Sequence, residues 1–175
     1  MHEVIVHTRQ VYAGRVVKLE VSEVRLPDGS VGVREVVRHQ GAVAVVPLFD
    51  NRDVLLVRQY RIGAGAAIFE IPAGLLEAGE RPEACAAREL QEEVGYRPGV
   101  LTPLGGHYTA PGYTTEYIHL FLAADLTPSE LASDPDEFIE VARVPLSRAL
   151  ELVDAGEIVD GKTQIGLLRA VRHLG

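Results

Sequence analysis

Glu89, Glu92 and Glu93 fall within a five-residue span directly after Arg88, inside the stretch Pro82–Val94 whose apolar spacing is helical. At about 100° per residue, side chains three and four apart share a helix face, so the three carboxylates converge. Convergence is costly. Like charges at this spacing repel by about 0.2–0.5 kcal/mol per pair. Anions in the C-terminal half also oppose the helix dipole, at about 0.3–1 kcal/mol each. Arg88 supplies one compensating charge through Glu92 at i+4, and a bound divalent cation supplies more. All-oxygen ligands select Mg²⁺, with Mn²⁺ as substitute. The chemistry open to such a site is the binding of a hard divalent cation; the alternative is a solvated acidic face. Zinc has no support, because His2, His7, His39, His107, His119 and His173 are scattered and Cys85 is the single cysteine. Cys85 reads as a modestly exposed, inert thiol on the acidic side of the helix.

The elements that must hold these residues follow from pattern. Pro82 opens the helix, Gly95 follows its last residue, and Ala84, Ala87, Leu90 and Val94 form its expected core face. Glu3–His7, Arg15–Leu26 and Val31–Arg38 alternate as strands, with Pro27-Asp28-Gly29-Ser30 as a hairpin turn. Gly41–Phe49 is almost wholly apolar, as a strand covered on both faces is. Asp50–Asp53 is turn chemistry; Val54–Tyr60 and Ala67–Pro72 return as strands. Leu101–His107, Glu116–Ala123 and Phe138–Val144 read as further strands, and Leu146–Ala155 and Lys162–His173 as helices. The class is α+β: a mixed sheet with few, late helices in residues 41–175, preceded by a β-rich subdomain in residues 1–40.

The 175 residues carry a net charge of −8, which argues against a nucleic-acid partner. Residues 70–93 hold seven acids and two bases, residues 125–140 hold six acids and no base, and the remainder sums to +3. The longest apolar run, Ala42–Phe49, is too short to span a membrane, and MHEVIVHTRQ lacks the character of a secretory signal. A soluble, cytoplasmic domain is expected.

The stretch from Gly74 to Tyr96, with Glu80, Arg88, Glu89, Glu92, Glu93 and Gly95 at fixed spacings, resembles the box of the Nudix hydrolase superfamily. Tyr96 departs from it, standing where aliphatic residues are usual. The resemblance implies an α/β/α sandwich around a mixed β-sheet and hydrolysis of a nucleoside diphosphate linked to another moiety. It makes Glu89, Glu92, Glu93 and the Ala73 carbonyl the Mg²⁺ ligands, with Glu80 in support and Arg88 holding the glutamates. It assigns Gly74 a turn that only glycine adopts cheaply, and Gly95 a helix cap.

Further residues resemble the ADP-ribose pyrophosphatase branch: Val57–Arg61, Phe69–Gly74, and Ala110–Glu116 around Pro111, sixteen residues after Gly95. That branch implies a homodimer in which the N-terminal β segment exchanges and helps to bind adenine. Arg58 and Arg61 become phosphate contacts, against surface charge as the alternative. Glu35 becomes a residue near the adenine, against an exposed strand position, and Glu70 a ribose or metal-network group, against a salt bridge. Asp125–Glu140 reads as a mobile acidic loop, from which the branch supplies a general base; Glu137 matches best and Glu140 is the runner-up. Three functions remain open: hydrolysis of ADP-ribose to AMP and ribose 5-phosphate, hydrolysis of another nucleoside diphosphate sugar such as a GDP-sugar, and binding of ADP-ribose without cleavage.

Overall fold

The computed structural model describes residues 2–132 and 138–175. The chain divides into two compact units: the stretch ending at Gly41 together with Tyr108–Tyr117, and Ala42–His107 together with Ile118–Gly175. The incorporation of Tyr108–Tyr117 into the first unit lies outside the expected 1–40 boundary.

In the first unit, β1 (Val4–Ala13), β2 (Lys18–Arg25) and β3 (Val31–Arg38) form an antiparallel sheet in sequence order. The β2–β3 turn closes where expected: the Leu26 N–H donates to the Ser30 carbonyl, and Gly29 takes φ +87°. β1 runs six residues past its expected end at His7 and is solvent-exposed along its whole length. The Ala110–Glu116 segment bonds to β3, through Val37 N–H to Tyr113 O at 2.8 Å and Thr115 N–H to Val37 O at 3.0 Å.

The second unit begins with β4 (Ala42–Pro47), β5 (Asp53–Arg61), β6 (Ala66–Glu70), β7 (Ala73–Leu75) and helix α1 (Pro82–Glu93). It continues through β8 (Tyr96–Arg97), β9 (Val100–Tyr108), β10 (Tyr117–Ala124), β11 (Thr127–Pro128) and β12 (Glu140–Pro145) to α2 (Leu146–Asp154) and α3 (Gly161–Leu174). One sheet has the order β7-β4-β10-β9, with β4 parallel to β10 and antiparallel to β7; a second has the order β12-β5-β6. Every residue of β4 is buried. Alternate residues explain why: Ala44 and Val46 pack in a cluster with Ala149, Leu152 and Leu167 of α2 and α3, while Val43 and Val45 pack with Ala86 and Leu90 of α1. The mixed sheet between helical layers is the expected α+β sandwich.

Helix α1 starts on Pro82 and ends before Gly95, which takes φ +73°. Its buried face differs from the expected one. Ala84 is exposed, whereas Cys85, Ala86, Glu89, Leu90 and Glu93 are buried. On a helical projection these five span an arc of roughly 140°, with Glu89 and Glu93 in its middle. The alanines suggested an apolar stripe opposite the glutamates; two of those glutamates in fact point into the protein. Cys85 is likewise fully buried, not modestly exposed, and burial pushes its thiol up to about 12.

Candidate active site

The β7–α1 connection gathers the acidic residues. Gly79 takes φ +79° in a turn where the Glu80 N–H donates to the Glu77 carbonyl, so the Glu80 side chain returns toward α1. Arg88 lies among three carboxylates. It donates from Nε and Nη2 to the two oxygens of Glu80, both at 3.0 Å. Its Nη1 reaches Glu89 at 2.6 Å and Glu92 at 2.9 Å. Nη2 also donates to the Leu75 carbonyl at 3.2 Å, which fixes the guanidinium against β7. The Arg88 hydrogen bonds hold the Glu80 carboxyl down at about 2. One guanidinium thus serves three anions and leaves the group at −2.

Glu93 is held from the opposite side: its Oε2 accepts the Ala73 N–H at 3.0 Å. Gly74 makes room for Glu89. A Cβ on Gly74 would lie 1.9 Å from the Glu89 carboxyl carbon. Gly74 lies within β7 and is not among the positive-φ glycines, which corrects the expected turn conformation; space, not φ, requires glycine here. The space that Gly74 leaves is taken by the Glu89 carboxylate itself, and carboxylate oxygens are the donors that suit a hard divalent cation. Among the described residues, no three Asp, Glu, His or Cys side chains are drawn together as a ready metal cage. The carboxylates instead turn to Arg88 and Ala73.

A second ionic group lies at the end of β6. Glu70, 1% exposed, accepts from Arg61 Nε at 2.6 Å and Nη2 at 2.8 Å, and it also accepts from Lys162 Nζ. Burial pushes the Glu70 carboxyl up, but Arg61 and Lys162 outweigh it and hold the group below the ordinary carboxylate range. Lys162 is also paired with Asp160 at 3.1 Å. Asp160 caps α3 by accepting the Thr163 N–H at 2.9 Å, and Thr163 Oγ1 accepts the Ile71 N–H at 2.8 Å. Lys162, Asp160 and Thr163 were not singled out from the sequence. Asp160-Gly161-Lys162-Thr163 signals a capped helix start, but nothing local points to a partner 92 residues away.

Arg58 and Arg61 are three residues apart on β5, so their side chains leave opposite faces of the strand. Arg58 is exposed, with its guanidinium 5.7 Å from the Phe69 ring centre and Nη1 3.7 Å from Glu140. The Glu140 side chain is 79% exposed at the start of β12 and does not turn inward. Glu137 lies outside the described residues. The N-terminal part of the expected acidic loop is bonded in place: β11 pairs with β8, the Ser129 N–H donates to Gly95 O, and the Leu131 N–H donates to Gln91 O. Glu35, exposed on β3, and Pro111, exposed in the loop bonded to that strand, both belong to the first unit.

These positions can be set beside known proteins. The family model described as the NUDIX domain matches residues 38–162. A curated ADP-ribose pyrophosphatase of Bacillus subtilis (strain 168) is 44% identical over 165 residues, covering 93% of this chain and 89% of the relative. A methanol dehydrogenase activator of Bacillus methanolicus is 42% identical, covering 98% and 96%. A solved structure described as an ADP compounds hydrolase superposes with a TM-score of 0.90 at 27% identity, covering 99% of this chain and 95% of the other. A glutamate-rich helix packed by its own carboxylates, a glycine that clears space for one of them and a match over most of the chain agree: this protein belongs to the Nudix family and is a Nudix hydrolase.

Proposed function

We propose that this enzyme hydrolyses the pyrophosphate bond of ADP-ribose, giving AMP and ribose 5-phosphate, with Mg²⁺ as cofactor. The observation that carries the reading is the pairing of Glu89 with the space left by Gly74, beside a Glu93 anchored on Ala73. The names of the Bacillus subtilis relative and of the superposed structure support ADP-ribose among diphosphate substrates.

Glu89, Glu92, Glu93 and the Ala73 carbonyl would hold the metal, which supplies charge neutralisation at the phosphate oxygens and a more acidic water. Arg88 and Glu80 keep the glutamates apart and aimed. Arg61 offers its unused N–H groups to the diphosphate, and Arg58 offers a second positive charge from the other strand face. Glu35 and Pro111 are assigned to the adenine side. Glu137 takes the proton of the attacking water as the new P–O bond forms and the bond to the bridging oxygen breaks.

A substrate panel run with Mg²⁺ in ¹⁸O-water tests the reading. ADP-ribose is expected to be the preferred substrate, with label in one phosphate product; preference for a GDP-sugar would replace ADP-ribose. Tight calorimetric binding with background turnover would instead make the protein a binding module. Glu137→Gln is expected to lower kcat by about 10²–10⁴-fold with unchanged folding.

The working form is proposed to be a cytoplasmic homodimer. β1 leaves Val4, Ile5, Val6 and Tyr12 each at least half exposed, an apolar strand that a second copy would cover. Sedimentation showing a monomer at micromolar concentration would remove this part. Among the described residues no helix is long and apolar enough to cross a membrane.

A further inference from the structure

We infer that Lys162 is a positioning residue for the diphosphate site, acting on Arg61 through the buried carboxylate of Glu70; the inference rests on the hydrolase reading above. A carboxylate's last torsion is soft and roughly two-fold, so Glu70 needs more than one anchor to present a fixed edge. Arg61 takes both Glu70 oxygens in a fork, and Lys162 takes Oε2 as well. The Lys162 side chain is itself only 13% exposed and is held by Asp160.

The first turn of α3 therefore pins the side chain of residue 70 through Lys162 and the backbone of residue 71 through Thr163. Two residues later comes Ala73, which anchors Glu93. In the other direction, a fixed Glu70 fixes the plane of the Arg61 guanidinium. A guanidinium has five N–H donors, and Glu70 uses only two kinds of its nitrogens, Nε and Nη2. Arg61 is 44% exposed, so its remaining donors are open to an anion.

The charges alternate along Asp160, Lys162, Glu70 and Arg61, and the series ends at the exposed cation. Without Lys162, Asp160 would lose its ammonium partner and Glu70 would keep only the Arg61 guanidinium. The Glu70–Arg61 fork would then move as a unit with no outside anchor, and the summed charge of these side chains would fall from zero to −1, which disfavours a diphosphate.

The test compares Lys162→Met, Lys162→Arg and wild type by steady-state kinetics with Mg²⁺, and by calorimetric ADP-ribose binding in EDTA, where no turnover occurs. Lys162→Met is expected to raise both KM and Kd by about tenfold while kcat stays within about twofold, a loss of binding common to ground and transition states. Lys162→Arg should restore most of the loss. Lys162→Gln replaces Lys162→Met if melting shows the latter unfolded. Arg169→Gln controls for helix packing: it removes the bond from α3 to the Leu104 carbonyl without touching Glu70. It should lower Tm and leave KM unchanged.

Unchanged KM and Kd in Lys162→Met would overturn the inference, as would an equal rise in Arg169→Gln. A wild-type protein that neither binds nor cleaves ADP-ribose would overturn the substrate reading, and the inference with it.

Discussion

Two ionic clusters flank the short run from Glu70 to Gly74, and they are built in opposite senses. Around Arg88, one cation serves Glu80, Glu89 and Glu92. Around Glu70, one buried anion serves Arg61 and Lys162. The first is short of positive charge and suits a cation. The second exposes a guanidinium edge and suits an anion. A substrate that arrives as an anion bound to a cation meets both needs in one stretch of chain. Within the fold, Arg88 bonds Glu89 and Glu92 and the Ala73 amide bonds Glu93, so these carboxylates have protein partners.

The largest effect should come from the first cluster. Glu93→Gln removes a charge but keeps an acceptor for Ala73, so folding should hold while Mg²⁺-dependent kcat falls about a thousandfold, equivalent to several kcal/mol. Wild-type rates at saturating Mg²⁺ would dissolve the contrast between the clusters. Gly74→Ala comes next: its Cβ overlaps the Glu89 carboxylate, and relieving that overlap should cost about 1–3 kcal/mol of stability and most of the turnover. Thermal melting read beside kcat separates the two losses.

Glu70→Gln tests the second cluster. Leaving Arg61 and Lys162 without their shared anion should cost about 3–5 kcal/mol. For a chain of this size that corresponds to a Tm roughly 10 °C lower. Glu80→Gln should cost about 1 kcal/mol, because its ion pair with Arg88 is nearer to solvent. Its signature is in acid. The Glu80 carboxyl sits at about 2 when folded against an ordinary 4.5, so its contribution is complete above about pH 4.5 and is lost as pH falls toward 2. The difference in stability between wild type and Glu80→Gln, measured by urea melts, should shrink over that window. A constant difference would mean that the carboxylate is not what Arg88 stabilises.

How far each cluster could be read beforehand depends on sequence distance. Glu80, Arg88, Glu89, Glu92 and Glu93 sit on one turn and one helix, so fixed geometry converts spacing into proximity. Pro82 and Gly95 mark the helix ends for equally local reasons. The face of α1 is not legible from apolar spacing, because apolar residues alone do not define its inside. Here Glu89 and Glu93 occupy the middle of the buried arc, and Ala84, apolar but small, is exposed. The Glu70 cluster joins β5, β6 and α3 across tertiary structure. Its lysine carries no local signal, and an exposed strand arginine looks the same before folding whether or not it is anchored. β8 and β11, two residues each, are likewise defined only by pairing with one another.

Cys85 offers a clock for the motions of this region. Its thiol is sealed beneath α1, donates to the Leu75 carbonyl at 3.4 Å and is held almost wholly protonated at neutral pH. A disulfide reagent added to the native enzyme should therefore wait for the helix to lift. With no other cysteine in the chain, the rate at which the reagent's colour develops would count openings of the glutamate helix alone. Its slowing as Mg²⁺ is added would report, without any substrate, how firmly the ion clamps that helix to the strand beneath it.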